Sequence, residues 1–286
     1  MSGQLTAALA REIERHVGPI DEVEPLGHAS QAEVWSLRLR SGERAVVKRP
    51  HDAASFGREA NAYRTWVSQL GRYAPTLRAQ LDPPVSAFVL EWIDGVAATD
   101  ASLNGAMRRA MHREGGRVCR LLAELPCPDS DPMALTDALV ARMAGWCRRG
   151  ELLLPATTLD AVREAFDASA FHGVRRVYAH RDFSPWNWLM VRDPALRLVV
   201  VDFGQARADA PLTDLMKLWG RPWVEDERTR VAFFEGFGRG LTDHEEHQLR
   251  QLTILHGVAS AVWGREHQAP QYALIGDAVL RRVLDR

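Results

Sequence analysis

Two short segments near the middle of the chain limit its fold more than any other feature. The first, H-R-D-F-S-P-W-N at residues 180–187, places Asp182 and Asn187 five residues apart in a polar loop. The second, V-V-V-D-F-G at residues 199–204, is an apolar run that ends in Asp202. Three oxygen-bearing side chains are therefore expected at one place, delivered by two neighbouring loops. Such a set suits Mg²⁺, a hard cation that takes oxygen ligands and keeps several waters.

The order of these two segments is typical of one kind of chemistry. H-R-D-x-x-x-x-N followed by D-F-G is the signature of kinase-type phosphoryl transfer. That reaction needs the phosphates clamped, a metal placed and an acceptor hydroxyl held in line. In this interpretation Asn187 and Asp202 bind Mg²⁺, and Asp182 receives the acceptor hydroxyl as a base or orienting group. ATP is the expected phosphoryl donor, and GTP is the alternative.

Composition excludes several other classes of protein. The 286 residues are 46% hydrophobic and 26% charged, which is ordinary for a globular chain of one large domain or two lobes. The net charge of −1 gives no electrostatic argument for binding nucleic acid or an anionic membrane. The sequence lacks a secretion-signal pattern and any apolar run near the roughly 20 residues of a membrane span. Three cysteines without metal-ligand spacing fit a reducing, cytoplasmic location.

Lysine is scarce in this sequence. Among the 36 basic residues only Lys48 and Lys217 are lysine, and the others are arginine. The two side chains are not interchangeable, so a retained lysine suggests a need for a compact ammonium on a long stem. This pattern draws attention to Lys48, which ends the predicted strand 45–48.

The first third of the chain predicts a small antiparallel sheet with helices. An amphipathic helix at residues 4–17 precedes three strand patterns between residues 23 and 48. Two further strands are predicted at residues 77–81 and 87–90, separated by a pair of prolines. Between the third and fourth strands, residues 53–70 have the pattern of a helix.

That helix carries a carboxylate on its apolar face. Glu59 shares this face with Tyr63, Trp66 and Leu70, at the spacing of successive helical turns. An unpaired charge on a buried face is costly, so Glu59 needs a partner. We expect that partner to be Lys48, which would then be held in place to contact the α- and β-phosphates of the nucleotide.

Two backbone segments would complete the nucleotide site. The loop at residues 27–32 would cover the phosphates, with Gly27 and Ser30 among its donors. By itself this loop is a weak signal, because it has one glycine and could be any hairpin turn. The backbone of Glu91 and Ile93, which follows an apolar strand, would offer a carbonyl and an N–H to adenine.

The remainder of the chain is predicted to be mostly helical. Helices are expected at residues 106–125, 132–149 and 158–169. A strand at residues 174–178 leads into the first motif, and a hairpin between residues 188 and 201 connects the two motifs. T-D-H-E at residues 242–245 has the spacing of a capping box and should begin another helix.

As an ordered set, these motifs resemble the aminoglycoside phosphotransferase and choline kinase family, relatives of protein kinases that phosphorylate small molecules. The resemblance extends from about residue 23 to about residue 218. It implies a two-lobed, protein-kinase-like α+β fold. Residues 1–93 would form a nucleotide-binding N-lobe with a five-stranded antiparallel sheet and one main helix, and residues 94–286 a mostly helical C-lobe. It also implies a catalytic role for Asp182 and a structural role for Asp214.

Departures from protein kinases indicate a small acceptor. Protein kinases usually carry Lys two residues after the catalytic Asp, where this chain has Ser184. After Gly204 there is no long activation segment, because Pro211 and a predicted helix follow almost at once. Arg181, which pairs with a phosphorylated loop in regulated protein kinases, is therefore expected to make a local structural ion pair. A protein substrate is disfavoured.

By resemblance, the acceptor would be an antibiotic, such as an aminoglycoside or another basic drug, and the product would give resistance. A kinase for a primary metabolite such as choline, homoserine or a sugar is the alternative among enzymes. A pseudokinase that binds nucleotide without turnover is the alternative outside them, and the full set of catalytic side chains argues against it. The pattern gives no indication of oligomeric state.

Aromatic and acidic residues near the second half of the chain are candidates for acceptor contacts. Trp186 lies inside the first motif, and Trp223 lies in a polar run; either is a candidate wall for the acceptor. Glu225, Asp226 and Glu266 would form an acidic rim around a cationic acceptor. The alternatives are core packing for the tryptophans and ordinary solvated surface for the carboxylates.

Overall fold

Contacts within the chain divide it into two compact units, each made of two separate segments of the sequence. The computed structural model describes residues 5–29, 32–100, 102–128, 131–192 and 195–284. The first unit comprises Met1–Leu103 and Pro185–Arg207, and the second comprises Asn104–Ser184 and Ala208–Arg286. The predicted lobes 1–93 and 94–286 stay a prediction, because the first unit continues to Leu103 and takes in a later segment.

The first unit is built on an antiparallel sheet that contains five strands among the described residues. In chain order these strands are β1 (Ile20–Ala29), β2 (Ala32–Leu39), β3 (Arg44–Pro50), β4 (Leu77–Leu81) and β5 (Ala87–Glu91). Their spatial order is β1-β2-β3-β5-β4, and each neighbouring pair is antiparallel. The predicted five-stranded antiparallel sheet is confirmed.

The two faces of this sheet have different roles. Helix α1 (Ala7–Val17) packs on one face, where Leu9 and Ile13 join a buried apolar cluster that includes Val47 of β3. Successive side chains of a strand point to opposite faces, so Lys48 lies on the other face. Its cross-strand neighbour there is Phe88 of β5. The alternation of the strand thus puts the lysine on the side away from α1.

Helix α2 (Ala53–Thr65) lies on the side of the sheet that carries Lys48. Its N-cap is Asp52, whose carboxylate accepts the backbone N–H of Ser55 at 2.8 Å. The helix ends before the predicted position because Trp66 leaves helical geometry at φ −147°, and the chain continues as the 3-10 helix Val67–Tyr73. The predicted apolar face is nevertheless buried along its length, at Glu59, Tyr63, Trp66 and Leu70.

A later hairpin also belongs to the first unit. The strands Trp188–Arg192 and Leu196–Val200 pair antiparallel, and the first of them also pairs with the short strand Val96–Ala97. In this register Trp188 lies opposite Val200. The hairpin thus joins Asn187, at the end of the first motif, to the apolar run that ends in Asp202.

The second unit is mostly helical. Its helices in the described residues are α3 (Gly105–Glu124), α4 (Leu135–Gly150), α5 (Ala156–Ala165), α6 (Met216–Gly220), α7 (Pro222–Glu225), α8 (Glu227–Phe237), α9 (Asp243–Glu266) and α10 (Pro270–Leu284). The three helices predicted between residues 106 and 169 correspond to α3, α4 and α5, although α5 ends early and a 3-10 helix, Ala168–Phe171, follows it. None of the helices described is both long and apolar enough to cross a bilayer.

The start of α9 shows the predicted capping box. The Thr242 hydroxyl accepts the backbone N–H of Glu245 at 3.3 Å, and the Glu245 carboxylate accepts the backbone N–H of Thr242 at 2.9 Å. Two otherwise unsatisfied donors at the helix start are paired in this way. The helix that follows extends beyond residue 256, to Glu266.

Helices α3 and α8 cross with their backbones in close contact. A Cβ atom added to Gly236 would lie 1.8 Å from the carbonyl oxygen of Arg113, and one added to Gly116 would lie 2.0 Å from that of Phe233. Neither position has room for any side chain, because real contacts of this kind are essentially never below 3.0 Å. The two glycines therefore set how closely these helices approach.

Candidate active site

The first unit brings together a lysine and two carboxylates. Lys48 Nζ donates to Glu59 Oε2 at 2.6 Å and to Asp202 Oδ1 at 2.7 Å. The Glu59 side chain is 0% exposed, whereas that of Asp202 is 38% exposed. Burial alone would lower the pKa of Lys48, but attraction to the two carboxylates outweighs it, so the pKa lies above its usual value. The ammonium is therefore charged at neutral pH.

The D-F-G segment adopts a backbone conformation that a non-glycine residue rarely takes. Asp202 has φ 68°, in the left-handed region. Residues in sparsely populated conformations persist where the surroundings impose them, and they are common at functional sites. Here Phe203 is fully buried and meets Tyr63 and Trp66 edge-on, each with ring centroids 5.6 Å apart. This aromatic anchor places the Asp202 carboxylate against Lys48.

Helix α2 contacts the D-F-G segment at a second point that the sequence analysis missed. Arg58 Nε donates to the carbonyl oxygen of Gly204 at 2.7 Å, and its Nη2 donates to Ser55 Oγ at 2.8 Å. A Cβ atom at Gly204 would lie 3.3 Å from Asp202 Oδ1. Arg58 directly precedes Glu59 in the sequence, but no motif distinguishes it from the many other arginines. The helix therefore holds the segment directly through Arg58, and through Glu59 by way of Lys48.

Asn187 lies at the same end of the hairpin as Asp202. Its carbonyl oxygen accepts the backbone N–H of Val201 at 2.9 Å, directly before Asp202 in the chain. The amide of Asn187 and the carboxylate of Asp202 are hard oxygen donors, and Mg²⁺ bound by two such groups would complete its shell with waters and phosphates. These two residues fit the expected magnesium site, and their role as ligands stays a prediction.

Part of the segment predicted to cover the phosphates lies in strands. Gly27 belongs to β1, which continues to Ala29, and β2 begins at Ala32. The pairing of β1 with β2 shifts register between Pro25 and His28. Gly27, which was expected in the loop, therefore lies at an irregularity of the strand. Ser30 lies outside the described residues. The phosphate-covering roles of Gly27 and Ser30 stay predictions.

The segment expected to contact adenine is partly occupied by its own hydrogen bonds. The backbone N–H of Glu91 donates to the carbonyl oxygen of Thr76 at 2.9 Å, and its carboxylate accepts the N–H of Thr76 at 3.0 Å. The carbonyl oxygen of Ile93 accepts the N–H of Gly95 at 3.0 Å. Any adenine contact at Glu91 therefore falls to its carbonyl group, and at Ile93 the backbone N–H is the natural donor.

The loop that carries Asp182 belongs to the second unit, and Asp214 holds it by hydrogen bonds to its backbone. The Asp214 carboxylate accepts the backbone N–H of His180 at 2.9 Å and that of Arg181 at 2.6 Å. The backbone N–H of Asp182 in turn donates to Nδ1 of the buried His180 at 3.2 Å. The structural role expected of Asp214 is visible in these contacts, and His180 supports the same loop.

Arg181 makes the local ion pair expected of it. Its Nε lies 2.6 Å from Oδ2 of Asp209. Arg142 also donates to this carboxylate, from Nη1 to Oδ2 at 3.0 Å and from Nη2 to Oδ1 at 3.2 Å. Burial raises the pKa of Asp209, but attraction to the two guanidinium groups outweighs this effect and leaves the pKa below its usual value. Arg181 itself has φ 62°, so the loop is constrained directly before Asp182.

Asp182 has a lysine partner that the sequence analysis did not identify. Lys217 Nζ, from helix α6, donates to Asp182 Oδ1 and forms an ion pair with it. The two side chains are 29% and 30% exposed. The scarcity of lysine was the signal that could have found this contact, although no spacing rule connects residue 217 to the loop.

The two candidate tryptophans are placed very differently. Trp186 is 67% exposed in the motif loop, where a bound molecule can contact it. Trp223 is 5% exposed and meets Phe233 with ring centroids 5.2 Å apart, so it packs within the second unit. Acceptor contacts by either residue stay predictions, but Trp223 has little surface to offer.

The three candidate acidic residues already have cationic partners. Glu225 pairs with Arg221 at 2.8 Å. Glu266 accepts a hydrogen bond from Nε of Arg149 at 2.9 Å and a second one from its Nη2. Asp226 caps α8 by accepting the backbone N–H of Arg228 at 3.1 Å. Their role as an acidic rim stays a prediction, and part of their charge is offset within the chain.

Comparisons with known proteins agree with this geometry. The model of a family described as the phosphotransferase enzyme family matches residues 22–252. A search of curated proteins found no match. Among solved structures, the streptomycin–ATP–APH(2″)-IIa ternary complex is 16% identical, with 98% of this chain and 97% of that chain covered and a TM-score of 0.68.

Two other solved structures have the same fold. The GDP and kanamycin complex of APH(2″)-IIia is 15% identical, with 97% of this chain and 98% of that chain covered and a TM-score of 0.73. The apo form of a thermostable mutant of aminoglycoside phosphotransferase APH(4)-Ia is 15% identical, with 96% and 98% covered and a TM-score of 0.70. Likeness at this level of identity shows the fold, and the predicted kinase-like α+β class is confirmed.

Proposed function

Because this chain belongs to the phosphotransferase enzyme family, we propose that it transfers the γ-phosphoryl group of ATP to a hydroxyl of a small molecule. The observation that carries the proposal is the ammonium of Lys48, held between Glu59 and Asp202 at 2.6 and 2.7 Å. A buried lysine that is held by two carboxylates, one of them the Asp of a D-F-G segment, is suited to clamping phosphates. Family membership makes the chain a small-molecule phosphotransferase, and the donor and the acceptor are the proposed parts.

At the donor end, each proposed role falls to a residue already fixed by its neighbours. Lys48 would contact the α- and β-phosphates, and Glu59 would keep it in place. Asn187 and Asp202 would hold Mg²⁺, which would offset the negative charge of the phosphates. One structural neighbour binds ATP and another binds GDP, so GTP is the alternative donor.

At the acceptor end, Asp182 would receive or orient the attacking hydroxyl. Its loop is held by the Asp214 carboxylate and by the Arg181–Asp209 ion pair, so the position of its backbone is defined before substrate binds. Trp186 belongs to the same motif and is well exposed. We therefore assign it the first contact with the acceptor.

For the acceptor itself, we propose an antibiotic, either an aminoglycoside or another basic drug. The support is the fold: solved structures with this fold include complexes with streptomycin, gentamicin and kanamycin. Phosphorylation would then inactivate the drug and give resistance. Removing the positive charge of the acceptor should weaken binding if the acidic rim contributes.

One observation favours the second candidate, a kinase of a primary metabolite such as choline, homoserine or a sugar. The three rim carboxylates are already paired or serve as a helix cap, so they attract a polycationic drug less than free carboxylates would. A neutral or singly charged acceptor does not depend on such a rim.

A nucleotide-release screen separates these candidates. Wild-type protein and Asp182→Asn are incubated with ATP or GTP and one acceptor from each class, and ADP or GDP and the phosphorylated product are measured. We expect one acceptor class to stimulate release, and Asp182→Asn to lower kcat by about 100-fold or more while nucleotide still binds. Nucleotide binding without acceptor-stimulated release would identify a pseudokinase, and full turnover by Asp182→Asn would remove Asp182 from the chemistry.

A further inference from the structure

The strongest unassigned feature is the contact between Lys217 and Asp182. Lys217 lies on α6, a short helix that no predicted motif includes, yet its ammonium donates directly to the carboxylate proposed to receive the acceptor hydroxyl. The chain has only two lysines. One is paired with Asp202 and the other with Asp182, so each of the two functional aspartates has its own ammonium partner.

The position of Lys217 is fixed by the same segment that holds the loop. Asp214, three residues earlier, accepts the backbone N–H groups of His180 and Arg181. Lys217 then reaches the side chain of the next residue, Asp182. One short stretch of chain, residues 214–217, therefore holds three consecutive residues of the loop by two backbone contacts and one side-chain contact.

A second basic side chain, His256, lies near Lys217. His256, on α9, is half-buried, and desolvation together with the charge of Lys217 lowers the pKa of that imidazole to about 3. His256 is therefore neutral at neutral pH, and Ser260 Oγ lies 3.3 Å from its Nδ1. The positive charge beside Asp182 thus comes from the lysine and is not shared with this histidine.

We propose that Lys217 is a positioning residue for phosphoryl transfer, whose ammonium orients the Asp182 carboxylate towards the acceptor hydroxyl. The inference rests on the proposed function. In that reaction the acceptor oxygen forms a bond to the γ-phosphorus, and the bond to the bridging oxygen breaks. ADP leaves with that electron pair, and Asp182 accepts the hydroxyl proton. A carboxylate that also binds a lysine keeps one orientation through these changes.

The position also accounts for Ser184. Protein kinases usually place a lysine two residues after the catalytic Asp, and this chain has a buried serine there. Lys217 brings an ammonium to the same carboxylate from a helix that lies later in the chain. The loop itself is thereby left without a long cationic side chain at that point.

Two substitutions separate charge from packing. Lys217→Met keeps the length of the side chain and removes the charge, and Lys217→Arg keeps the charge. We expect Lys217→Met to lower kcat by about 100-fold, as small misplacements of a reacting group do, with the KM for ATP changed less than about twofold. Lys217→Arg should recover at least about one tenth of wild-type kcat.

A matched control comes from another ion pair of the second unit. Arg265 pairs with Asp277 at 2.9 Å, and their side chains are 30% and 26% exposed, close to the values for Lys217 and Asp182. Arg265→Met therefore removes a comparable cation from α9 without touching the loop. Its kcat should stay within about twofold of wild type, because an ion pair of this exposure contributes little.

Chemical rescue provides a second readout that a purely structural role would not give. Lys217→Ala should regain turnover when ethylammonium is added, with saturation, and wild type should not respond. Equal kcat in Lys217→Met and wild type, an equal loss in Arg265→Met, or a KM for ATP that rises as far as kcat falls would overturn the proposal. Absence of transfer in wild type itself would instead contradict the proposed function.

Discussion

The buried pair of Lys48 and Glu59 makes a prediction about stability that is separate from turnover. Glu59→Leu removes the carboxylate at 2.6 Å from Lys48 Nζ and leaves the ammonium with Asp202 at 2.7 Å. Breaking a buried pair completely costs about 3–5 kcal/mol, and losing one hydrogen bond to a charged group costs about 1.5–3 kcal/mol. Because one partner remains, we expect a loss of about 2–3 kcal/mol.

The double variant Lys48→Met with Glu59→Leu should reverse most of this loss. Replacing both members of a buried ion pair by apolar residues of similar volume is often neutral or stabilising, since no charge is left without a partner. Asp202 loses its lysine in this variant but is 38% exposed, so water can solvate it. Phosphoryl transfer should be lost in the single and the double variants alike.

Thermal unfolding measures both effects. For a chain of this size, about 2–4 °C of Tm corresponds to each kcal/mol, so Glu59→Leu should lower Tm by about 4–12 °C. Glu43→Leu is the control, because Glu43 is 64% exposed in its pair with Arg78 and should change Tm very little. A double variant no more stable than Glu59→Leu would refute the reasoning, because the uncompensated charge would then not be the cause.

Two further predictions concern the second unit. The pKa of His256 is lowered from 6.5 to about 3 in the folded chain. Below pH 6.5 the unfolded chain therefore binds a proton that the folded chain does not bind. The free energy of unfolding then falls by about 1.4 kcal/mol for each unit of falling pH. His256→Gln should flatten this decline in Tm between pH 4 and 6 (about two units), and parallel curves would contradict the assignment. Gly236→Ala should lower Tm strongly, since its Cβ would lie 1.8 Å from a backbone oxygen of α3, whereas Gly145→Ala, where nothing lies within 4 Å, should not.

The sequence predicted those parts of the site that depend on local pattern. The spacing along α2 put Glu59 on a buried face, and the cost of an unpaired charge there pointed to Lys48, which lies 2.6 Å away. The predicted hairpin between the two motifs likewise placed Asn187 and Asp202 at one end of it. Both predictions needed only local sequence patterns, together with the cost of an unpaired buried charge in the case of Glu59.

Other contacts depend on tertiary packing and gave no local signal. Lys217 reaches Asp182 across 35 positions of the sequence, and nothing in the pattern of α6 points to the loop. Trp223 looked exposed because its sequence neighbours are polar, but it is 5% exposed against Phe233 of α8. Neighbours in sequence describe the environment of a side chain poorly where a short helix turns it inward.

The pairing of both lysines also has a consequence for how the protein can be handled. Each of the two lysine amines in this chain is in an ion pair with an aspartate proposed to act in phosphoryl transfer. Some reagents acylate lysine for surface immobilisation, fluorescent labelling or crosslinking. In this chain they find no lysine other than these two paired residues. Coupling through lysine would therefore report on the occupancy of the site, and attachment that leaves the site intact has to use other chemistry.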